Sequence, residues 1–377
     1  MNRVRRFLLR IRALSSKEIL HISRDPRSLY LGLAMPVMLL VLMGGGVSFD
    51  VDRIPLAVVD LDRTTASRTM IRHFVADDTF RVAESVDGTD AAEALFRAGQ
   101  ATVALVIPDG MGRDLDRGKP VSVQLLVDGV DGNTANISLG KADVLMLGQA
   151  LSIAGPESMK RAPRIAARTW TRFNPGGKSA LFLVPGLCAY VLALGAVLLT
   201  ALTIAREWER GSMEQLFATP VGRLEIILGK LLPYLAMGAV QFLTVLVAGT
   251  WAFGVPIRGS FVLLSLSAFV FLVAMLGQGL LISVIAKNQL VATQMAMMLT
   301  MLPTMMLSGF LLPIENMPLL IRALSEVLPA RHMVTLLRGI LLKGNGVVEL
   351  WPDLLAMTLY AIAMIVFSTR RFQRRLA

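Results

Sequence analysis

The chain has 377 residues, of which 54% are hydrophobic and 17% are charged, and its mean hydropathy is +0.62. Soluble domains carry roughly 25% charged residues, so this composition excludes an ordinary water-soluble protein and predicts that a bilayer is part of its solvent. The single cysteine, Cys188, excludes a disulfide framework within the chain and argues against redox chemistry.

The net charge of +11 is concentrated at the two ends of the chain. Residues 1–27 carry eight basic and two acidic side chains, and residues 370–377 carry four arginines and no acid. Residues 48–178 are close to neutral. Basic residues beside apolar stretches follow the positive-inside rule, so both termini are predicted to be cytosolic. No basic face with interleaved aromatic residues is visible in the sequence, so nucleic-acid binding is not expected.

The first 47 residues predict a surface helix followed by a membrane span. Residues 1–27 mix arginines with apolar residues, a pattern typical of an amphipathic helix that lies on the cytosolic membrane surface and contacts membrane lipid. The apolar stretch 28–47 is long enough to cross a bilayer and is predicted to be transmembrane helix 1. A cleavable signal peptide is disfavoured because no small-x-small site follows this stretch closely.

Residues 48–172 change character and predict an α/β domain outside the cytoplasm. Short β-rich runs at 54–60, 80–84, 103–108 and 121–128 predict strands, and the segments 67–76, 89–99 and 110–118 predict helices between them. A longer helical pattern covers 133–154. Strands that alternate with helices are typical of a small α/β domain. The extracytoplasmic part is expected to extend over residues 48–178.

Residues 173–377 predict a transmembrane domain with helices 2–6. Uncharged stretches at 179–205, 231–257, 259–286 and 288–314 and a shorter one at 354–369 supply five spans. The predicted fold class is therefore an α-helical polytopic membrane protein, with six transmembrane helices and an α/β extracytoplasmic domain inserted between helices 1 and 2. Prolines divide residues 313–350 into short helices, which predicts an outer re-entrant segment covered by protein.

The charged segment at 205–230 separates two uncharged stretches and predicts a short cytosolic helix within residues 206–220. Ser212 and Gln215 have the spacing of a capping box. Met213, Leu216 and Phe217 form one apolar edge at helical spacing, and Thr219-Pro220 ends the helix. Such a helix can present its face to a partner in the aqueous phase.

Catalytic and metal-binding motifs are not found in the sequence. RFNPGGKS at 172–179 resembles a phosphate-binding loop, but Arg172 stands where that pattern needs a glycine and the segment opens a membrane span. The three histidines lie far apart without further ligands at helical spacing, so no metal site is predicted. The chain is therefore not predicted to be an enzyme, and any ATP hydrolysis belongs to another subunit.

Uncharged polar and sulfur-containing residues in the spans leave two interpretations open. Gln241, Gln278 and Gln294 either hydrogen-bond neighbouring helices or line a substrate path. The methionines at 295–306 favour adaptable packing over binding of a soft metal such as Cu(I). Glycines within the spans predict close helix approach.

Three blocks of the sequence resemble the membrane subunits of type-2 ABC exporters, in the six-span branch that includes multidrug-efflux permeases. They are NPGGKSALFLVPGL at 174–187, AREWERGSMEQLFATPVGRLEIILGK at 205–230 and LSGFLLPIENMP at 307–318. The second block is similar to the family element E-x-E-x-G-(S/T)-x-E-x-L-x-x-T-P. The likeness covers nearly the whole chain in order and spacing.

The resemblance implies a multi-pass permease of the inner (cytoplasmic) membrane that exports drugs, lipid-like or other amphipathic substrates. It implies a dimer with a second copy or a similar permease, cytosolic ATPase subunits that bind ATP and Mg, and, in some systems, a periplasmic adaptor protein. The chain itself is expected to hold no cofactor. A different class stays open: a membrane-anchored sensor or assembly scaffold whose outer domain binds a ligand or protein.

The candidate functional residues are those that match the family elements by position, together with the apolar edge of the short cytosolic helix. The residues expected to couple the chain to the ATPase are Glu207, Glu209, Gly211, Met213, Glu214, Leu216, Phe217, Thr219 and Pro220. The residues of the outer signature are Gly309, Pro313, Met317 and Pro318.

Overall fold

The structure is a computed structural model that describes residues 3–46, 53–76, 79–128, 138–146, 179–312 and 314–372. The chain divides into two compact units, one formed by Met1–Ser48 with Thr171–Ala377 and the other by Phe49–Trp170. Each unit has its own hydrophobic core.

The elements are numbered in chain order. The helices are α1 (Arg3–Arg24), α2 (Pro26–Leu29), α3 (Met35–Gly46), α4 (Thr65–Val75), α5 (Thr89–Arg97), α6 (Met111–Asp116), α7 (Ser179–Glu209), α8 (Ser212–Phe217), α9 (Arg223–Phe253), α10 (Phe261–Ala286), α11 (Gln289–Ala296), α12 (Leu302–Leu307), α13 (Leu319–Ser325), α14 (Pro329–Arg338) and α15 (Val347–Arg371). The strands are β1 (Ile54–Asp60), β2 (Phe80–Ser85), β3 (Val103–Ile107) and β4 (Gln124–Val127). The π-helical turns Tyr30–Ala34, Met297–Met301 and Gly339–Lys343 continue α2, α11 and α14, and Ile314–Asn316 is a 3-10 turn.

The smaller unit is a four-stranded sheet in the order β2-β1-β3-β4. β1 pairs in parallel with β2 and β3, and β3 pairs antiparallel with β4. Alternate residues of β1 belong to two hydrophobic clusters, one on each face of the sheet, because successive side chains in a strand point to opposite faces. Leu56 and Val58 pack with Phe74 of α4, whereas Ala57 and Val59 belong to the second cluster with α5. Each strand and each helix between the strands overlaps the range that the sequence predicted for it, with somewhat different ends. Residues 138–146 are helical. The rest of the helix predicted at 133–154 lies outside the described residues.

The larger unit is built from long apolar helices. Five helical segments in the described part of the chain are long and apolar enough to cross a membrane: Ala180–Glu209, Arg223–Phe253, Phe261–Ala286, Gln289–Leu307 and Val347–Arg371. The apolar helix Gly32–Gly45, inside the span predicted at 28–47, is shorter than these five. The structure therefore shows a mostly helical, multi-span protein, and the sixth span stays a prediction.

Two spans begin or end further into charged sequence than predicted. α7 continues past residue 205 to Glu209, and α9 begins at Arg223 rather than at 231. Both extensions carry charged side chains that other helices neutralise, as the contacts of α1 described below show. The segment predicted as re-entrant contains α13 and α14, and α14 is packed with its apolar face buried.

The centre of the larger unit is α7, the most enclosed of the five long helices. It meets α10 at Gly279, where an added Cβ would lie 2.5 Å from the carbonyl oxygen of Val197 and 2.1 Å from Oγ1 of Thr200. Thr200 donates a hydrogen bond from Oγ1 to the carbonyl oxygen of Leu276 at 3.0 Å. Ser283 Oγ accepts from two backbone N–H groups of α7. The predicted use of span glycines for close helix approach is confirmed here.

Replacement of Gly279 by alanine is expected to destabilise the fold. The new methyl group meets backbone atoms of Val197, which cannot rotate away, so α7 and α10 would have to separate. Overpacking of this kind costs about 1–3 kcal/mol, measurable as a lower midpoint of unfolding in a mixed detergent–SDS titration. Gly45→Ala is the matched control because nothing lies within 4 Å of a Cβ at that position. Equal midpoints for the two variants would contradict the close contact.

Candidate functional site

The amphipathic helix α1 packs along the first turns of α9. Gly229 permits this approach, because an added Cβ there would lie 2.6 Å from Cβ of Leu14. Ser15 donates a hydrogen bond from Oγ to the carbonyl oxygen of Gly229 at 3.0 Å. The close contact brings the charged side chains of α1 within reach of both α7 and α9.

Lys230 lies in the middle of this contact with 3% of its side chain exposed. Its Nζ is 2.6 Å from Oε1 of Glu18 on α1 and 3.0 Å from Oε2 of Glu207 on α7. Lys17 Nζ approaches Oε1 of Glu207 at 3.2 Å. A buried ammonium is costly unless it is paired, so this geometry holds three helices together. We call Lys17, Glu18, Glu207 and Lys230 the inner ion cluster.

Two further ion pairs flank the inner ion cluster. Arg10 Nη1 lies 3.4 Å from Oε2 of Glu225 near the start of α9, and Arg206 Nη1 lies 2.9 Å from Oδ2 of Asp25. Glu225 also accepts a hydrogen bond from the backbone N–H of Gly222 and so caps α9. These ion pairs, together with the inner ion cluster, join α1 and the residue after it to α7 and α9.

The short helix α8 follows a tight turn at Gly211, whose φ of +68° lies in the left-handed region that favours glycine. Ser212 is the first residue of α8, and its hydroxyl donates to the carbonyl oxygen of Glu207 at 3.3 Å. The capping box expected at Ser212 and Gln215 stays a prediction. Glu214 and Gln215 are exposed to solvent. They form the accessible face of α8.

Three of the residues predicted to meet a partner have other contacts. Met213 is 1% exposed and belongs to the core of the larger unit, so its assignment as an apolar anchor for a partner is corrected. Glu207 is turned inward to the two lysines of the inner ion cluster. Glu209 is exposed but accepts a 2.8 Å hydrogen bond from the backbone N–H of Gln289, and so fastens α7 to the start of α11.

The remaining predicted coupling residues are only partly described. Thr219 and Pro220 are exposed after the end of α8. The side chains of Leu216 and Phe217 lie outside the described part of the structure. Of the predicted coupling residues, the structure therefore leaves Glu209, Gly211, Glu214, Thr219 and Pro220 exposed, and Gln215 is exposed beside them.

At the other end of the bundle, Arg338 contacts the signature segment at 307–318. Its Nη1 donates to the carbonyl oxygen of Gly309 at 3.0 Å, and its Nη2 donates to those of Phe182 and Phe310 at 3.2 and 3.4 Å. The guanidinium also lies 3.9 Å from the ring centroid of Phe182. Sequence reasoning missed this residue. The available signal was a lone arginine between the apolar runs VTLL and GILL.

Two of the four outer signature residues line an apolar pocket of about 330 Å³. Met317 and Pro318 line it together with Met306, Leu307, Leu312 and Ile321. Gly309 adopts a φ of +79°, which turns the chain at the end of α12. Pro313 lies outside the described residues.

The three glutamines predicted at membrane depth do not come together within one chain. Gln241 is 1% exposed and donates from Nε2 to the carbonyl oxygen of Val191 at 3.2 Å. Gln278 donates from Nε2 to Thr300 at 3.3 Å and accepts at Oε1 from Tyr360 at 3.0 Å. Gln241 and Gln278 therefore join helices, whereas Gln294 is exposed on α11.

His332 of α14 forms a second polar contact of this helix, with the early part of α15. His332 Nδ1 lies 2.7 Å from Oδ1 of Asp353, and its Nε2 lies 2.9 Å from the carbonyl oxygen of Glu326. Both partners are acceptors, so both contacts are hydrogen bonds only when the imidazole carries two protons. Burial and the charge of Arg331 oppose protonation, but the hydrogen bonds to Asp353 and Glu326 and the carboxylate charge outweigh them and raise the pKa of His332.

Cofactor and metal sites are not apparent in the described residues. No group of three or more His, Cys, Asp or Glu side chains there could hold a metal ion. The phosphate-loop-like segment at 172–178 lies outside the described part of the chain.

Comparisons with known proteins show which family the chain resembles along most of its length. Residues 28–370 match the family model described as "ABC-2 family transporter protein". The chain is 33% identical over 368 residues to "Probable multidrug ABC transporter permease YbhS" of Escherichia coli K12, covering 97% of both chains. It is 26% identical over 346 residues to YbhR, a permease with the same description from that organism, covering 92% of this chain and 93% of the relative. It is 24% identical over 381 residues to the "Linearmycin resistance permease protein LnrN" of Bacillus subtilis, covering 95% and 97%.

Replacement of Lys230 by methionine is expected to destabilise the protein by about 3–5 kcal/mol, because it leaves the carboxylate of Glu18 buried without its ammonium. The free energy of unfolding in detergent measures this loss. Lys17→Met is the matched control. Lys17 has 48% of its side chain exposed, and exposed pairs contribute roughly 0–1 kcal/mol. Glu18→Gln should recover part of the loss in the Lys230→Met background. Equal losses for the two single lysine variants would refute the central position of Lys230.

The thermal stability of the larger unit is expected to fall as pH rises through the pKa of His332 in the folded chain. The pKa of His332 is raised in the folded chain above its ordinary value of about 6.5. Its contribution is therefore complete below that value and is lost as pH rises through the folded pKa. The unfolding midpoint measured from pH 5.5 to 9 should show this decline, and His332→Gln should flatten it. His73→Gln, which removes an exposed histidine of α4, serves as control. An unchanged profile in His332→Gln would be evidence against the two-proton contact.

Proposed function

Because the chain belongs to the ABC-2 family of transporter proteins and is a permease subunit, we propose that it exports drugs or other amphipathic molecules with energy from a separate ATPase. Two of the relatives are named multidrug permeases, and a third is named for linearmycin resistance. ATP and Mg would be bound by that partner subunit. The permease itself would supply the path and the moving helices.

We propose six spans, with residues 26–46 as the first. Helical residues run through α2, the π turn and α3, a length of about 30 Å at 1.5 Å per residue, which matches the bilayer core. An even number of spans puts both basic termini on one side, and the positive-inside rule makes that side cytosolic. The α/β unit would then be extracytoplasmic, and α1 and α8 would face the cytosol.

The observation that carries the proposal is the attachment of α8 to α7. Its outer face presents Glu214 and Gln215 to solvent, while Met213 on its inner side is packed in the core. Only Arg210 and Gly211 separate α8 from α7. A force applied to the exposed face therefore reaches α7 directly. Since Glu207 joins α7 to α1 and α9, the three helices would move together when an ATPase closes against this surface.

The surface of the fourth long helical segment supports a dimer as the complete transporter. Only 22% of the Gln289–Leu307 window is buried within the chain. Gln294, Met297 and Met298 are exposed there. A second copy or a similar permease seated against this face would enclose an apolar path. The flexible methionine side chains would adapt to different amphipathic substrates.

Charge reversal at Glu214 is expected to uncouple transport without unfolding the permease. Glu214 is exposed, so Glu214→Lys should keep the unfolding midpoint of the wild type while weakening ATPase binding at least about tenfold, the equivalent of 1.4 kcal/mol. Co-purification of the ATPase and drug-stimulated ATP hydrolysis in liposomes measure the effect.

The matched control for this charge reversal is Asp116→Lys, an equal charge change at an exposed position of α6 in the other unit. It should leave ATPase binding and transport unchanged. Full transport by Glu214→Lys would exclude docking through α8. Failure of any ATPase to co-purify with the wild type would favour the sensor or scaffold alternative.

A further inference from the structure

A polar cleft of about 250 Å³ lies between α1 and the helices α7, α8 and α9. Its basic lining comes from three directions: Lys17 and His21 from α1, Arg206 and Arg210 from the end of α7 and the turn after it, and Lys230 from α9. The phenol-bearing Tyr234 also lines it. The cleft adjoins the inner ion cluster but extends beyond it.

The cleft has an excess of positive charge. Lys17 and Lys230 are neutralised by Glu18 and Glu207, and Arg206 pairs with Asp25 beside the cleft. Arg210 is exposed and has no ion pair with any described residue. Lys17 still has 48% of its side chain exposed and can turn a donor to the cleft. One negative charge held between Lys17 and Arg210 would balance this surface.

The position of α1 indicates where such an anion would come from. Val4, Leu8 and Ile19 are largely exposed although they are apolar, with exposed fractions of 68%, 59% and 57%. Successive helical residues are about 100° apart, which puts these three on one side of α1 and Lys17 and His21 on another. A helix with an exposed apolar side and a basic edge lies at the headgroup level of a bilayer. The cleft would then open at the depth of lipid phosphates.

We propose that this cleft binds the phosphate group of an anionic phospholipid from the leaflet on which α1 lies. The inference rests on the membrane position of α1 given under the proposed function. Arg210 and Lys17 would donate hydrogen bonds to the phosphate oxygens, and the half-buried Ile22 would contact the start of the acyl chains. Basic pockets between membrane helices on the cytosolic side suit anionic headgroups for these reasons. A bound lipid would brace α1 against α7 and α8.

The test uses the purified full-length chain in neutral detergent, without an ATPase, so that its result does not depend on transport. Short-chain phosphatidylglycerol is titrated while the thermal unfolding midpoint is recorded. A saturable increase of about 2–4 °C is expected. Phosphatidylcholine of the same chain length and inorganic phosphate are titrated in parallel. An equal shift with phosphatidylcholine, or an equal shift with inorganic phosphate, would overturn the assignment to an anionic lipid.

Two variants locate the site. Arg210→Gln should weaken the response to phosphatidylglycerol by about tenfold in concentration, because it removes a charged hydrogen-bond donor. Arg223→Gln makes the same charge change at an exposed position at the start of α9 that does not line the cleft, and its response should equal that of the wild type. Similar weakening in both variants would show a diffuse surface attraction and would overturn the proposal. The midpoint of each variant without lipid checks that the fold is intact.

Discussion

The pairing of the Lys230 ammonium with two carboxylates is the interaction on which the charged end of the bundle depends. An ion taken out of water loses several kcal/mol of hydration unless partners of good geometry replace it. Glu18 and Glu207 do so from two different helices, at 2.6 and 3.0 Å. The pairing therefore has a structural consequence beyond its own energy: α1 cannot leave the bundle without exposing a buried charge. A helix whose sequence is typical of a membrane-surface anchor is in this structure joined to the bundle by buried ion pairs, although most of its side chains are exposed.

This constraint also explains why the two spans are longer than their apolar sequences. Hydropathy alone ends the second span near residue 205 and starts the third near 231, because charged residues are costly in hydrocarbon. In the structure Glu207 extends the first of these helices, and Glu225 and Lys230 lie in the early turns of the next. Their charges are matched by Lys17, Arg10 and Glu18 of α1. The extra turns are stable only because another helix neutralises them.

The sequence was sufficient for features that depend on short-range patterns and insufficient for features that depend on distant partners. The strands and spans follow from short β-rich runs and from uncharged stretches, which are local properties. The contacts of Glu207 could not be predicted because its partners stand at positions 17 and 230, and the charge pattern of residues 205–230 shows which residues are acidic but not which way they face. The burial of Met213 was missed for the same reason. Arg338 stands out in the sequence as a lone arginine between apolar runs, but its partners could not be predicted because every residue carries a backbone carbonyl group.

The two ends of α7 are held by different chemistry, and this difference bears on how the bundle can move. At the charged end, Glu207 and Arg206 bind side chains of α1 and α9. At the other end, the carbonyl oxygen of Phe182 binds Arg338 of α14, which also holds Gly309 and Phe310. A rotation of α7 driven through α8 would therefore reach the segment around Gly309 at the far end of the helix. It would have to exchange the contacts of Arg338 with these carbonyl groups. It would also have to exchange the hydrogen bonds that Thr200 and Ser283 make between α7 and α10, because those bonds hold the middle of the same helix.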